Sequence, residues 1–175
     1  KFDQKKKRDR NLPILIKMAT DEPDGYFPQF LLGQHYASDL IQKDKAIFHF
    51  QNFLNKHPKE RNLIASAYST LSEIYYSKHE FKHALNFANK SVSLSPKQFI
   101  GYLLLSKIEV ELKQYQAAIS RLETLILNNK NNQNFSSDNA LDCVLNSNQI
   151  EGFIIKILFF HLNRDDSVKR MKIVW

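Results

Sequence analysis

The residues whose spacing best suits catalysis are His79-Glu80-Phe81-Lys82-His83, which form an H-E-x-x-H sequence. On a continuous helix this spacing places two histidines one turn apart, where they bind zinc while the glutamate acts as a general base. Here the motif falls where the repeat described below predicts a turn between two helices, and neither histidine recurs one period later. The spacing from Ser77 to Glu80 is also that of a helix capping box. The sequence therefore favours a structural role and predicts no metal ligands and no catalytic residues here.

Other acidic pairs also lack the features of catalytic pairs. Asp165-Asp166 follows an apolar helix and fits a helix cap, and Asp21-Glu22-Pro23-Asp24 precedes a glycine and fits a turn. The four glycines are too far apart for a glycine-rich phosphate loop, which argues against a nucleotide-driven enzyme. The sequence thus supplies no catalytic residue and leaves open whether the parent protein is an enzyme.

Composition indicates one globular domain. The 175 residues are 43% apolar and 25% charged, enough to fill a core and cover its surface. The single cysteine, Cys143, excludes an internal disulfide and suits a reducing compartment, so we expect a cytoplasmic protein. The longest apolar run, 153–162, is shorter than the ~20 residues of a membrane span. Because the chain opens on Lys1 and stops directly after an apolar stretch, we expect both ends to be cut points in a longer protein.

Positive charge is concentrated at the start of the chain. The net charge is +7, and residues 1–10 hold six lysines and arginines against two aspartates. Clustered basic residues can bind phosphates, but no stripe of basic and aromatic residues continues this run. We therefore interpret 1–10 as a solvated basic linker. A helical nucleic-acid binder led by residues 5–10 is a disfavoured alternative, and it predicts binding that weakens steeply with salt.

The chain contains an internal repeat of 34 residues. The segment Tyr68 to Tyr75 aligns with Tyr102 to Glu109, and apolar positions of a second helix align at the same offset. This is the period of tetratricopeptide repeats, which are helix pairs. An earlier unit starts near Phe30 and has one more residue between its halves, which predicts a longer turn.

These patterns predict an all-α fold, an antiparallel solenoid of tetratricopeptide-like helix pairs with a helical C-terminal cap. Residues 11–127 would form a leading helix and three helix pairs, 128–139 an Asn-rich loop, and 140–175 the cap. The segment 150–162 is apolar nearly all round. We expect it to cover the last repeat, and contact with a second copy in a homo-oligomer is the alternative.

In such a solenoid the first helix of each pair lines a concave groove, which suits an extended peptide. We therefore expect a protein or peptide partner. The predicted groove residues are Phe27, Phe30, Leu31, Gln34, Ser66, Ser69, Thr70, Glu73, Tyr76, Leu103, Leu104 and Lys107.

The order of motifs is similar to a known family. A basic lead into Arg10-Asn11-Leu12, then Glu22-Pro23-Asp24, then Phe30-Leu31-Leu32-Gly33 and Lys45-Ala46-Ile47 resembles the C-terminal region of bacterial family 2 glycosyltransferases, notably the peptide S-glycosyltransferases that modify bacteriocins. The resemblance implies a non-catalytic domain of a transferase, which holds the peptide acceptor or a partner subunit. It also implies that a UDP-sugar and a divalent metal bind in a missing catalytic domain, since this chain lacks the D-x-D site of that family. The alternative is a stand-alone tetratricopeptide adaptor that binds a peptide segment in its groove.

Overall fold

The computed structural model describes residues 4–96, 99–130 and 147–157, and all regular secondary structure in these ranges is helical. The helices are α1 Gln4–Asp21, α2 Phe27–Ala37, α3 Lys43–Asn55, α4 Arg61–Ser77, α5 Phe81–Leu94, α6 Phe99–Glu111, α7 Tyr115–Lys130 and α8 Ser147–Ile157.

The helices pack in chain order as a solenoid. Three pairs form, α2 with α3, α4 with α5 and α6 with α7, while α1 packs on α2 and α8 packs on α7. The first helices of successive pairs also touch, because α2 contacts α4 and α4 contacts α6. The predicted all-α helix-pair solenoid is confirmed.

Two predicted segment bounds differ from the structure. Helix α1 begins at Gln4, so most of the segment interpreted as a basic linker is helical, consistent with the good helix propensity of lysine and arginine. Helix α7 continues to Lys130, three residues beyond the predicted end of the repeats at 127. The rest of the predicted Asn-rich loop, 131–139, lies outside the described residues, as do 140–146 and 158–175 of the predicted cap.

The turn inside the first helix pair is longer than the two later turns, as the sequence predicts. The turn from α2 to α3 covers 38–42, whereas the two later turns cover only 78–80 and 112–114. In the later turns His79 and Lys113 adopt left-handed φ angles of 60° and 61°. Both close a Schellman motif, in which the amide of Glu80 donates to the carbonyl of Tyr75 and the amide of Gln114 to that of Glu109.

The predicted capping box at the start of α5 is wrong. Glu80 is itself the N-cap residue and makes no side-chain capping bond. Its carboxylate lies 2.9 Å from Nδ1 of His83, while the Ser77 hydroxyl donates to the carbonyl of Ile74. The Schellman motif explains the difference, because it places Ser77 inside α4 rather than before α5.

Small residues let the two helices of a pair approach closely. A Cβ added at Gly33 of α2 would lie 2.8 Å from two ring carbons of Phe50 on α3. At the equivalent position of the second pair, the buried hydroxyl of Ser72 donates to the carbonyl of Ala84 over 2.8 Å. Both residues fill the small position that the repeat pattern predicts.

Side-chain hydrogen bonds join the first pair to the second at the repeat spacing. Tyr26 donates to Glu60, Lys43 to Ser77 and Lys78 to Asp44, and the two residues of each bond are 34 apart in the chain.

The last described helix covers the third pair. Ile154 and Ile157 of α8 are buried against a cluster on α7 that includes Leu122 and Leu125. This packing supports the role of the segment as a cap.

Candidate functional site

The candidate site is the surface that α2, α4 and α6 present together, which we call the A-helix face. Its residues are half-buried or exposed, in contrast to the fully buried leucines of the same helices. The A-helix face consists of Phe27, Leu31, Gln34, Ser66, Ser69, Thr70, Glu73, Tyr76, Leu103, Lys107 and Glu111.

Hydrogen bonds hold this surface together across the repeats. The Gln34 amide on α2 donates to the Ser66 hydroxyl on α4 over 3.3 Å. The Tyr76 hydroxyl on α4 donates to the Glu111 carboxylate on α6 over 3.2 Å. Because each bond joins two neighbouring repeats, these four side chains are positioned relative to one another before any partner binds.

One row of this surface changes charge from repeat to repeat. Gln34, Glu73 and Lys107 each follow an equivalent buried leucine by two residues, so they occupy equivalent positions on α2, α4 and α6. Surrounding protein removes the Glu73 carboxyl partly from water and raises its pKa, and the positive charge of Lys107 opposes that shift. The row thus presents an amide, an acid and a base in chain order.

Two predicted groove residues lie in the core instead. Phe30 is 8% exposed, and its ring centroid lies 6.0 Å from that of Phe50 and 5.2 Å from that of Phe53. Leu104 is also 8% exposed and packs in the cluster that joins α5 and α6. Both predictions are corrected, because Phe30 turns toward α3, the second helix of its own pair, and Leu104 turns toward α5, the second helix of the preceding pair.

The remaining predicted residues stay on the surface. Phe27 is 45% exposed and stacks on Phe30, so one apolar ring is displayed at the start of α2. Glu111 was missed by the sequence analysis. The signal that could have found it is its spacing from Tyr76, which is close to one repeat.

The H-E-x-x-H segment does not adopt the geometry of a zinc site. Helix α5 begins at Phe81, so His79 lies in the preceding turn and the two histidines do not share one helical face. His83 instead packs edge-on against the Tyr75 ring and lies beside Glu80. Within the described ranges, no group of three His, Cys, Asp or Glu side chains could hold a metal ion.

A family model for ChAPs (Chs5p-Arf1p-binding proteins) matches residues 2–146. The chain belongs to the ChAPs family. The chain is also similar to Superkiller protein 3 of Schizosaccharomyces pombe, with 30% identity over 82 residues. That match covers 47% of this chain but only 6% of the relative.

Solved structures support the fold. A crystal structure of MamA matches with a TM-score of 0.74 at 18% identity and covers 98% of this chain and 88% of its own. MamA 41-end from Desulfovibrio magneticus RS-1 matches with a TM-score of 0.73 at 14% identity and covers 95% of this chain and 83% of its own. At these identities the likeness concerns the arrangement of the helices alone.

These matches identify a family other than the one that the order of motifs resembles. They place the chain in the ChAPs family and give no support to a glycosyltransferase parent or to a bacterial source. Among the described helices, none is long and apolar enough to cross a lipid bilayer.

Proposed function

We propose that this chain is a non-catalytic adaptor domain that binds an extended segment of a partner protein on its A-helix face. The observation that carries the proposal is the pair of bonds that tie this surface together, from Gln34 to Ser66 and from Tyr76 to Glu111. A surface fixed in this way pays less ordering entropy when a partner binds.

The chemistry of the surface suits a peptide backbone together with side chains of mixed character. Ser69 and Thr70 place hydroxyl groups on α4, the middle helix of the A-helix face. The Thr70 hydroxyl donates to the carbonyl of Ser66 over 3.1 Å, so it can accept from an amide of an extended chain, while Ser69 can meet an amide or a carbonyl. Phe27 on α2 and Leu103 on α6 offer apolar contacts. The first helices of stacked pairs form the concave surface in solenoids of this kind, which favours an elongated partner.

The family suggests which proteins to test. Its description names Chs5p and Arf1p as proteins that its members bind. For this chain, the partner would be a protein of one of those two classes.

The test is binding of purified Chs5p and Arf1p, measured by titration calorimetry with the full chain and two variants. Ser69→Arg places a long charged side chain in the middle of the A-helix face and should weaken binding at least about tenfold. Asn86→Arg introduces an arginine on the exposed side of α5, and this variant should bind with the affinity of the unmodified chain. Circular dichroism would confirm that both variants are folded. Equal affinity for all three chains would contradict the proposal.

The glycosyltransferase alternative rests on the framing by Arg10-Asn11 and Glu22-Pro23-Asp24 alone. In that case the UDP-sugar and the divalent metal would bind in another domain, and this domain would hold the acceptor. Peptide glycosylation by the native protein that depends on this region would favour it over the adaptor.

Self-association through the C-terminal apolar segment likewise stays a prediction, because the described part of that segment is buried within one chain.

A further inference from the structure

The two opposite charges in the row of Gln34, Glu73 and Lys107 are both available to a partner. Glu73 and Lys107 are exposed as residues, although surrounding protein partly shields the Glu73 carboxyl from water, and they lie on adjacent first helices. Lys107 influences Glu73 through its charge, but the two do not form a direct ion pair in the described part of the chain. The neighbouring acid, Glu111, already accepts the Tyr76 hydroxyl.

The packing of α4 against α6 sets the separation expected for equivalent positions on the two helices, and that separation suits one conformation of a bound peptide. Axes of packed helices are typically 8–10 Å apart. A polyproline II chain rises about 3.1 Å per residue with three residues per turn, so its residues i and i+3 share a face and lie about 9 Å apart. A fully extended strand would turn residues i and i+3 to opposite sides.

From this geometry we infer that the A-helix face selects an extended, polyproline II-like segment that carries a basic and an acidic side chain three residues apart. The base binds at Glu73 and the acid at Lys107. Gln34 lies in the same row but is uncharged and bonded to Ser66, so the partner segment needs no third charged residue. This inference rests on the proposed function and adds the sequence pattern of the partner.

The test is an array of synthetic peptides of about nine residues, each with one Lys and one Asp on a Gly/Ser/Pro background. The array covers every spacing and both orders of the two charges. We expect the folded full chain to prefer a spacing of three residues about fivefold over spacings of two or four, as suits partly exposed ion pairs.

A charge exchange makes the assignment specific. The double variant Glu73→Lys/Lys107→Glu keeps the net charge, and should reverse whichever charge order the unmodified chain prefers, at the same spacing of three residues. The control Glu80→Lys/Lys82→Glu exchanges charges at the start of α5 and should keep the original preference. An unchanged preference in the Glu73/Lys107 variant, or no preference for spacing in the unmodified chain, would overturn the inference.

The same array separates this inference from the proposed function. If peptides bind without regard to charge order and Ser69→Arg still abolishes binding, the A-helix face binds peptides and only the charge pattern is wrong. If Ser69→Arg leaves peptide binding unchanged, the binding surface itself is wrong. Absence of binding by every peptide would overturn the charge pattern, whereas the titrations with Chs5p and Arf1p judge the proposed function independently.

Discussion

Glu109 and Arg121 form an ion pair at the positions where, one repeat earlier, Tyr75 and Phe87 stack as aromatic rings. The Nε of Arg121 lies 2.6 Å from Oε1 of Glu109, whereas the rings of Tyr75 and Phe87 lie 5.3 Å apart with an interplanar angle of 12°. The first repeat has the same stacked arrangement between Tyr36 and His49. The third repeat has thus replaced an aromatic contact with a charged one, and Oε2 of Glu109 is buried without a hydrogen-bond partner among the described residues.

This relationship predicts that Arg121→Met destabilises the domain more than the removal of both charges. The single change leaves Glu109, whose side chain is 3% exposed, without its cation, and should cost about 2 kcal/mol in free energy of unfolding. The cost is below that of a fully buried pair because the Arg121 side chain is 32% exposed. The double variant Glu109→Tyr/Arg121→Phe restores the aromatic contact of the second repeat, and should lie within ~1 kcal/mol of the unmodified chain.

Urea denaturation followed by circular dichroism measures both variants. Glu80→Gln, which removes the exposed contact with His83, is the control and should change stability by less than about 0.5 kcal/mol. A double variant as unstable as Arg121→Met would show that the aromatic arrangement does not fit the third repeat.

The left-handed residues of the turns predict stabilising substitutions. His79→Gly and Lys113→Gly should each raise the free energy of unfolding by roughly 0.5–1 kcal/mol, because glycine adopts φ near 60° without the strain of a Cβ. Lys82→Gly, in the first turn of α5, should lower it by up to about 0.5 kcal/mol because glycine is less favourable than lysine in a helix. Thermal unfolding of the three variants tests the contrast. Destabilisation by His79→Gly would mean that its side chain, which packs edge-on against Phe81, matters more than its backbone.

The close contact at Gly33 predicts opposite effects of alanine at two helical glycines. Gly33→Ala forces a Cβ against the fully buried ring of Phe50 and should cost about 1 kcal/mol net, after the gain in helix propensity. Gly152→Ala in α8 places its Cβ where no atom lies within 4 Å, and should stabilise by up to ~1 kcal/mol. Parallel urea titrations measure the difference. If both variants were stabilised, the first helix pair would be more adaptable than this contact implies.

Burial predicts that His49 makes the domain less stable in acid. Burial lowers the pKa of His49 below its ordinary value of 6.5, and the charge of Lys45 lowers it further. The unfolded chain therefore binds the proton more readily, so the stabilisation is complete above about pH 6.5 and is lost as the pH falls toward the folded-state pKa. His49→Phe, which copies Phe87 of the second repeat, should lose less stability than the unmodified chain between pH 7.5 and 5.5. Urea denaturation at both pH values measures this, and identical losses in the two chains would contradict it.

Much of the fold could be predicted because the repeat imposes the same packing requirement in each unit. The apolar spacing around Leu71 and the small residues Gly33 and Ser72 depend only on helix geometry, and they appear in the structure where the period places them. The capping box failed because a Schellman motif uses overlapping positions, and sequence spacing alone does not distinguish the two.

The candidate site was less predictable, for a geometric reason. Adjacent helical residues point about 100° apart, so a small rotation of a helix decides whether a side chain faces the surface or the core. Phe30 and Leu104 face the core, while their neighbours Leu31 and Leu103 are only half-buried. The alignment of Tyr75 with Glu109 shows an acid in place of an aromatic residue, but the ion pair of Glu109 with Arg121 and its burial appear only in three dimensions.

The hydrogen bonds between residues 34 apart connect one helix pair with the next. Each one fastens a residue of the first helix pair or its entry turn to the pair that follows, as Lys78 and Asp44 do. Because each repeat of a solenoid contacts only its neighbours, force is passed from one helix pair to the next through such bonds and the packed helices. Tension on a bound segment would therefore load the exposed contacts between pairs, such as that of Lys78 with Asp44.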